Sequence, residues 1–250
     1  YKHEFRMRQV TFYTSHYEYR SLNKLDTSET AMDVKEEFRR VPIPEDAEIG
    51  MFGGDALLTL RSEWCPPGTS TTFPSGSMLV HPISRVMEDD WEGTKVLFQP
   101  TDSISLQSTT TTKDYLVLSV LDNVRTRLVI WRRDSSGWTE LNSSEDAVPV
   151  GEDVDISCTN RDDSVTNSVF ITRSGFLTPD TLEYLPDVSH ILEKDKSSNI
   201  EKLKSNPAMF QSSNLLVEQH VATSLDGTPI RYFLIRRSND DGFNFNGKNP

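Results

Sequence analysis

The sequence predicts an all-β fold: a partial β-propeller of about four four-stranded blades, with a β-hairpin at its end. Three observations carry this. Apolar residues mostly alternate with polar ones, the period of a half-buried strand, and long helical patterns are scarce. Strand-like runs recur in groups of four, with starts about 50 to 60 residues apart. Thirteen prolines and twelve glycines fall mainly between those runs, as turn residues should.

The elements follow in order. Thr11 to Arg20 alternates, with Phe12, Tyr17 and Tyr19 among hydroxyl residues, and a partial unit ends at Glu37–Ile43. Denser runs start near Asp55, Asp114 and Asn167, and each is read as the first strand of a unit. Their β-branched and aromatic content suits a pleated surface. Second strands are expected at Gly76–Val80, Thr126–Trp131 and Asp180–Tyr184, and third strands at Lys95–Phe98, Gly137–Leu141 and Ile200–Leu203. Ser103–Leu106, Val154–Ser157 and Leu215–Glu218 close the three units. Gly53-Gly54 makes a tight turn before a strand, and Ser108 to Thr112 reads as a polar turn between blades. Four strands at this period is the pattern of a propeller blade, in which stacked neighbours supply the core. A β-sandwich also has many short strands, but it does not predict a repeating order of four.

The end of the chain differs. Val217–Thr223 and Pro229–Arg237 are two strands around Asp226-Gly227, a strong hairpin signal. Ser238 to Pro250 reads as an exposed loop, and so does the charged stretch Glu193 to Ser205.

Composition narrows the function classes. Hydrophobic residues make up 35% and charged residues 26%, enough for a packed core. Net charge is -12, a field that repels phosphate backbones, so nucleic acid is not an expected partner. No run reaches the length of a membrane span, and Tyr1–Arg6 shows no signal-peptide core, so a cytoplasmic protein without a membrane partner is expected. The chain has no initiator Met, which suggests a fragment. Cys65 and Cys158 are expected to be buried free thiols.

No motif supplies a catalytic centre. The G-x-S-x-G nucleophile elbow of α/β hydrolases is absent. Ser21-Leu22-Asn23-Lys24 fits S-x-x-K but lacks its partner motifs. His3, His16, His81, His190 and His220 are not spaced as zinc ligands, and His220 sits in an alternating strand. Glu88-Asp89-Asp90, Asp162-Asp163 and Asn239-Asp240-Asp241-Gly242 do not fit a calcium loop and read as solvated turns. There is no phosphate-binding loop, and the Asn142-Ser143-Ser144 sequon has no secretory context. Hence no catalytic, cofactor-binding or metal-ligating residue is assigned, no cofactor is expected, and the substrate-binding residues stay open. Trp131-Arg132-Arg133 and Arg125-x-Arg127 leave two readings: cation–π packing on a blade surface, or a contact to a peptide carboxylate in a channel.

Four segments together resemble one family. Leu215 to Ile235, with Val217-Glu218-Gln219, Ala222-Thr223-Ser224 and Asp226-Gly227-Thr228, resembles the junction of prolyl oligopeptidases, V-E-Q-x-x-A-T-S-x-D-G-T-x-I. Leu60-Arg61-Ser62-Glu63-Trp64 is similar to the family's L-R-S-D-W. Thr112-Lys113-Asp114-Tyr115-Leu116 with Leu121-Asp122-Asn123-Val124-Arg125 resembles T-x-D-Y-L…L-D-N-V-x-S-R, and Phe176–Leu182 resembles F-L-T-P-S-T-L. The resemblance covers about residues 55 to 237, and the first 50 fit more loosely. It implies a seven-bladed propeller that caps an α/β-hydrolase domain and filters substrates by size, while a Ser-Asp-His triad cleaves short peptides, classically after proline. Residues 1–213 would be propeller blades and 214–250 the junction and first hairpin of the peptidase domain. The triad would lie beyond Pro250, so no activity is expected of this chain alone. Its partners would be short peptides acting through the hydrolase domain, and a second copy could pair with open propeller edges. The alternative is a non-enzymatic propeller or sandwich for protein interaction.

Overall fold

The computed structural model describes residues 3–22, 37–141, 148–192 and 199–238. The chain divides into two compact units, Tyr1–Thr101 and Asp102–Pro250.

The first unit holds two antiparallel sheets. β1 (His3–Gln9), β2 (Ser15–Ser21) and β3 (Arg39–Arg40) form a three-stranded sheet in that order. β4 (Glu48–Phe52), β5 (Asp55–Thr59), β6 (Met78–Pro82) and β7 (Lys95–Phe98) form a four-stranded meander. The β4–β5 loop is Gly53-Gly54, closed by the Phe52–Asp55 pair. Gly53 has φ +58°, which glycine adopts without penalty. β5 is buried along almost its whole length, because a central strand is covered on both faces. Leu58 and Leu79 pair across β5 and β6, and both are buried with Leu60, Phe73 and Trp91. A single helical turn, α1 (Ile83–Val86), follows β6 and inserts Ile83 and Val86 into this core. It is too short for a sequence period to announce it.

The second unit holds two four-stranded meanders and a hairpin. β8 (Ile104–Thr111), β9 (Tyr115–Asp122), β10 (Arg125–Asp134) and β11 (Gly137–Leu141) form one sheet. β12 (Glu152–Cys158), β13 (Val169–Gly175), β14 (Thr181–Leu185) and β15 (Glu201–Ser205) form the next. β16 (Leu215–Thr223) pairs with β17 (Pro229–Arg237) as a separate two-stranded ribbon. Its turn closes with Ser224 N–H donating to Thr228 C=O at 2.9 Å, and Gly227 has φ +86° as the Asp-Gly signal demands.

The two blades of this unit share one core. Val117, Leu128 and Ile130 of the first pack with Val154, Ile156, Val169, Ile171 and Leu185 of the second. A polar strap joins them at the turn before β9. The Asn167 side-chain carbonyl accepts from Asp114 N–H (2.9 Å) and the Thr112 hydroxyl (3.2 Å), and its amide donates to the Asp114 carboxylate (2.8 Å). The Thr112–Tyr115 motif thus binds blade to blade.

The four-strand period holds, but the expected phase does not. Each dense run at 55, 114 and 167 is the second strand of its sheet, and each expected fourth strand opens the next sheet as β8, β12 or β16. The physical reason is burial: β5 and β9 are covered on both faces and read as strong, while β8 and β12 alternate and read as weaker. Ser108–Thr111 lies inside β8 and is no turn. The Glu193–Ser205 stretch is not all loop, since Glu201–Ser205 is β15. Residues 193–198 and the tail from 239 lie outside the described residues, as do the Asn142 sequon and Asn23-Lys24.

Candidate functional site: two adjoining hollows at the β9–β10 turn

The β9–β10 loop has two central residues, Asn123 and Val124, with φ of 52° and 68°. Positive φ at both positions is the signature of a tight primed hairpin turn, which matches strand twist. Asparagine tolerates it. A β-branched residue there is an outlier, with strain of about 1–3 kcal/mol. The surroundings hold the turn in place. Asn123 N–H donates to Ser103 C=O at 2.9 Å, and its side-chain amide donates to Asp122 at 2.7 Å. Gln219 on β16 donates its amide to Asn123 C=O at 2.6 Å.

That last bond seats the terminal hairpin beside the turn, and glycine spacing permits it. Gly151 has φ +80°, and a Cβ there would sit 2.6 Å from Val217 Cγ1 and 3.0 Å from Phe176. Phe176 and Phe233 meet with ring centroids 5.3 Å apart. Across the ribbon, Arg236 clamps Glu218 with two bonds of 3.0 and 2.5 Å. These bonds hold the Glu218 carboxyl below its usual range.

Two hollows result. One, of about 380 Å³, is walled by Leu121, Val124, Phe176 and Phe233 and reaches Arg125 and Thr126. The other, of about 270 Å³, is polar and lined by Asp122, Arg125, Arg127, Gln219 and Arg231. Arg125 and Thr126 belong to both. Carboxylates around the larger hollow are already engaged. Glu152 accepts from Arg173 (2.9 Å) and Thr178 (2.5 Å), and Asp153 accepts from Thr126 (2.5 Å).

The sequence-derived candidates fall as follows. Arg125 and Arg127 come together at the polar hollow, joined by Arg231. Cation–π contacts occur at Phe38, with Arg6 at 3.6 Å and Arg20 at 4.6 Å from the ring centroid. Trp131 is buried, and Arg132 lies 4.0 Å from Asp134. Cys65 and Cys158 are free thiols, but Cys65 is exposed and Cys158 half-buried, because Cys65 sits in a loop outside the sheet. Glu88-Asp89-Asp90 is a built turn and not merely a solvated one. Asp89 accepts from the Trp91 indole (2.7 Å), Asp90 takes two bonds from Arg85, and Asp90 C=O meets His81 Nε2 at 2.7 Å. Burial pushes the His81 imidazole below its ordinary value. His16 meets Glu45, His3 meets Tyr19, and His220 stacks on Tyr232 beside Glu218. Among the described residues no group of three metal-ligating side chains comes together. No helix there is long and apolar enough to cross a membrane.

Sequence reasoning missed Gln219, Arg231 and Gly151 as parts of one site. Gln219 stood within a recognised motif, but nothing in the spacing of residues 123, 151 and 231 brings them together.

Antiparallel four-stranded meanders following one another along the chain define a β-propeller sector. Residues 68–189 match the model of the prolyl oligopeptidase N-terminal β-propeller domain, and the chain belongs to the prolyl oligopeptidase family as part of its propeller region. An uncharacterized peptidase of Sinorhizobium fredii is 32% identical over 212 residues, covering 84% of this chain. One of Rickettsia prowazekii is 26% identical over 215 residues, covering 85%. The chain spans 27% of the length of each. In fold it is similar to a post-proline cleaving enzyme from Rickettsia typhi: TM-score 0.65, 24% identity, 94% of this chain and 31% of that one. Oligopeptidase B from Trypanosoma brucei gives 0.59 at 17% identity, over 96% and 31%.

Proposed function

We propose that this chain is the substrate-gating portion of a prolyl oligopeptidase-like serine peptidase that cleaves short peptides after proline. Residues 1–213 serve as the gate, and 214–250 begin the peptidase domain. The catalytic triad belongs to polypeptide outside this chain. One observation carries the reading: a propeller sector is followed directly by a separate two-stranded ribbon that carries the junction motif and docks on the last blade through Gly151.

The physics of a gate is steric. A propeller over an active site admits a flexible peptide and excludes a folded protein, and it keeps bulk water from the reacting groups. Both cysteines are free thiols, which suits a reducing compartment, so we place the protein in the cytoplasm. Where a strand edge is exposed, a second copy would pair with it.

The test has two arms. This chain, treated with a fluorophosphonate probe, is expected to show no labelling, and stoichiometric labelling would sink the account. The longer polypeptide that the reading requires is expected to cleave a fluorogenic Gly-Pro peptide while sparing a folded protein. Deleting residues 1–213 should abolish that discrimination. If the longer polypeptide hydrolyses no peptide, the chain is an interaction module instead.

A further inference from the structure

The polar hollow supports a reading that gating does not need. Three arginines, Arg125, Arg127 and Arg231, line it in a chain of net charge -12. Asp122 is the one carboxylate in the lining. One Asp122 oxygen already accepts from Asn123, and the other lies 3.6 Å from Arg127 Nε, beyond hydrogen-bond reach. Arg127 Nε is buried and makes no hydrogen bond. Among the described residues, neither Arg125 nor Arg231 is ion-paired. The lining of the hollow thus sets three arginines against one carboxylate, and the Arg127 Nε donor beside that carboxylate has no acceptor.

Guanidinium groups match a carboxylate, which can accept two parallel bonds from one fork. The larger hollow shares Arg125 and Thr126 with it; Leu121, Val124, Phe176 and Phe233 are its apolar walls, and the Glu152 and Asp153 carboxylates in its lining are engaged by Arg173, Thr178 and Thr126. A ligand that satisfies both needs a carboxylate one carbon away from an apolar side chain. That is the α-carboxylate of a peptide whose last residue is apolar. An aspartate or glutamate side chain offers the carboxylate without the adjacent apolar group, and an inorganic anion offers neither stem nor side chain.

We propose that Arg125, Arg127 and Arg231 form a carboxylate-binding site that takes the free C-terminus of a peptide ending in an apolar residue. The site is assembled by the β9–β10 turn and the terminal hairpin, with Gln219 holding the two together. It is independent of catalysis, so this chain alone should bind.

The test is isothermal titration of this chain with an acetylated pentapeptide ending in phenylalanine, as the free acid and as the amide. The acid is expected to bind at least roughly tenfold tighter, the scale of losing a charge-assisted pair. Arg125→Gln and Arg231→Gln remove side chains that hold no ion pair, so circular dichroism should remain unchanged. Each should weaken the acid by roughly tenfold and leave the amide unaffected. Raising the salt concentration should weaken the acid alone. The proposal is overturned if acid and amide bind equally, if neither binds, or if both variants bind the acid like the parent. It is also overturned if an amidated peptide with an internal glutamate binds as tightly as the acid. Because no turnover is measured, failure of the gating reading would leave these outcomes unaltered.

Discussion

Replacing Gly151 by alanine tests how the terminal hairpin is seated. Two separate penalties arise. The residue sits at φ +80°, where an L side chain is strained, at about 1–2 kcal/mol. The new methyl would also lie 2.6 Å from Val217 Cγ1 and 3.0 Å from Phe176, closer than non-bonded carbons come. Val217 is β-branched with one stiff rotamer, so relief requires β16 to shift, and overpacking of this kind costs about 1–3 kcal/mol. Together Gly151→Ala should destabilise the second unit by about 2–5 kcal/mol. Val217→Ala in the same chain removes the nearest atom and should recover part of the steric cost, while the 3.0 Å approach to Phe176 and the backbone strain of about 1–2 kcal/mol remain. Urea unfolding followed by Trp131 and Trp138 fluorescence measures the total, and amide exchange along β16 reports the local detachment. If Gly151→Ala lies within about 0.5 kcal/mol of the parent, a surface-like effect, the packing argument is wrong. It fails equally if Val217→Ala gives no relief.

Three further outcomes follow from the structure. Asn167→Ala removes three bonds of the strap to Thr112 and Asp114, and should cost about 2–3 kcal/mol in a denaturant titration. Val124→Gly converts the strained turn to Asn-Gly, the preferred pair, and should stabilise by about 1 kcal/mol, read as a rise in Tm. His81 has a folded-state pKa below its unfolded value, so the unfolded chain protonates first as pH falls. Stability should therefore decline from about pH 6.5 downward, level off below the folded pKa, and show no such step in His81→Gln. A first-unit transition followed by Trp64 and Trp91 fluorescence that is flat below pH 6.5 would contradict this.

Much of the fold was legible along the chain. The alternation of β8 and β12, the Gly53-Gly54 and Asp226-Gly227 turns and the motifs around Asp114 and Asn123 are local patterns, set by side-chain period and by which residues tolerate positive φ. The grouping of strands into sheets was not. Leu116, Val117 and Leu118 announce β9 strongly because both its faces are covered, but that strength conceals the weaker β8 in front of it. Exposure of Cys65 and the company of Gln219 and Arg231 around Arg127 were equally out of reach, since both depend on residues distant in sequence.

What the sequence by itself determined is therefore the strand content, the turns, the four-strand period and the family. The tertiary structure alone decided the phase of the blades and the site at the β9–β10 turn. Strand propensity and turn chemistry act between neighbours, whereas Arg125, Gly151, Gln219 and Arg231 meet only after β16 has docked, a contact closed by packing between residues nearly a hundred positions apart, as in the Gln219–Asn123 bond.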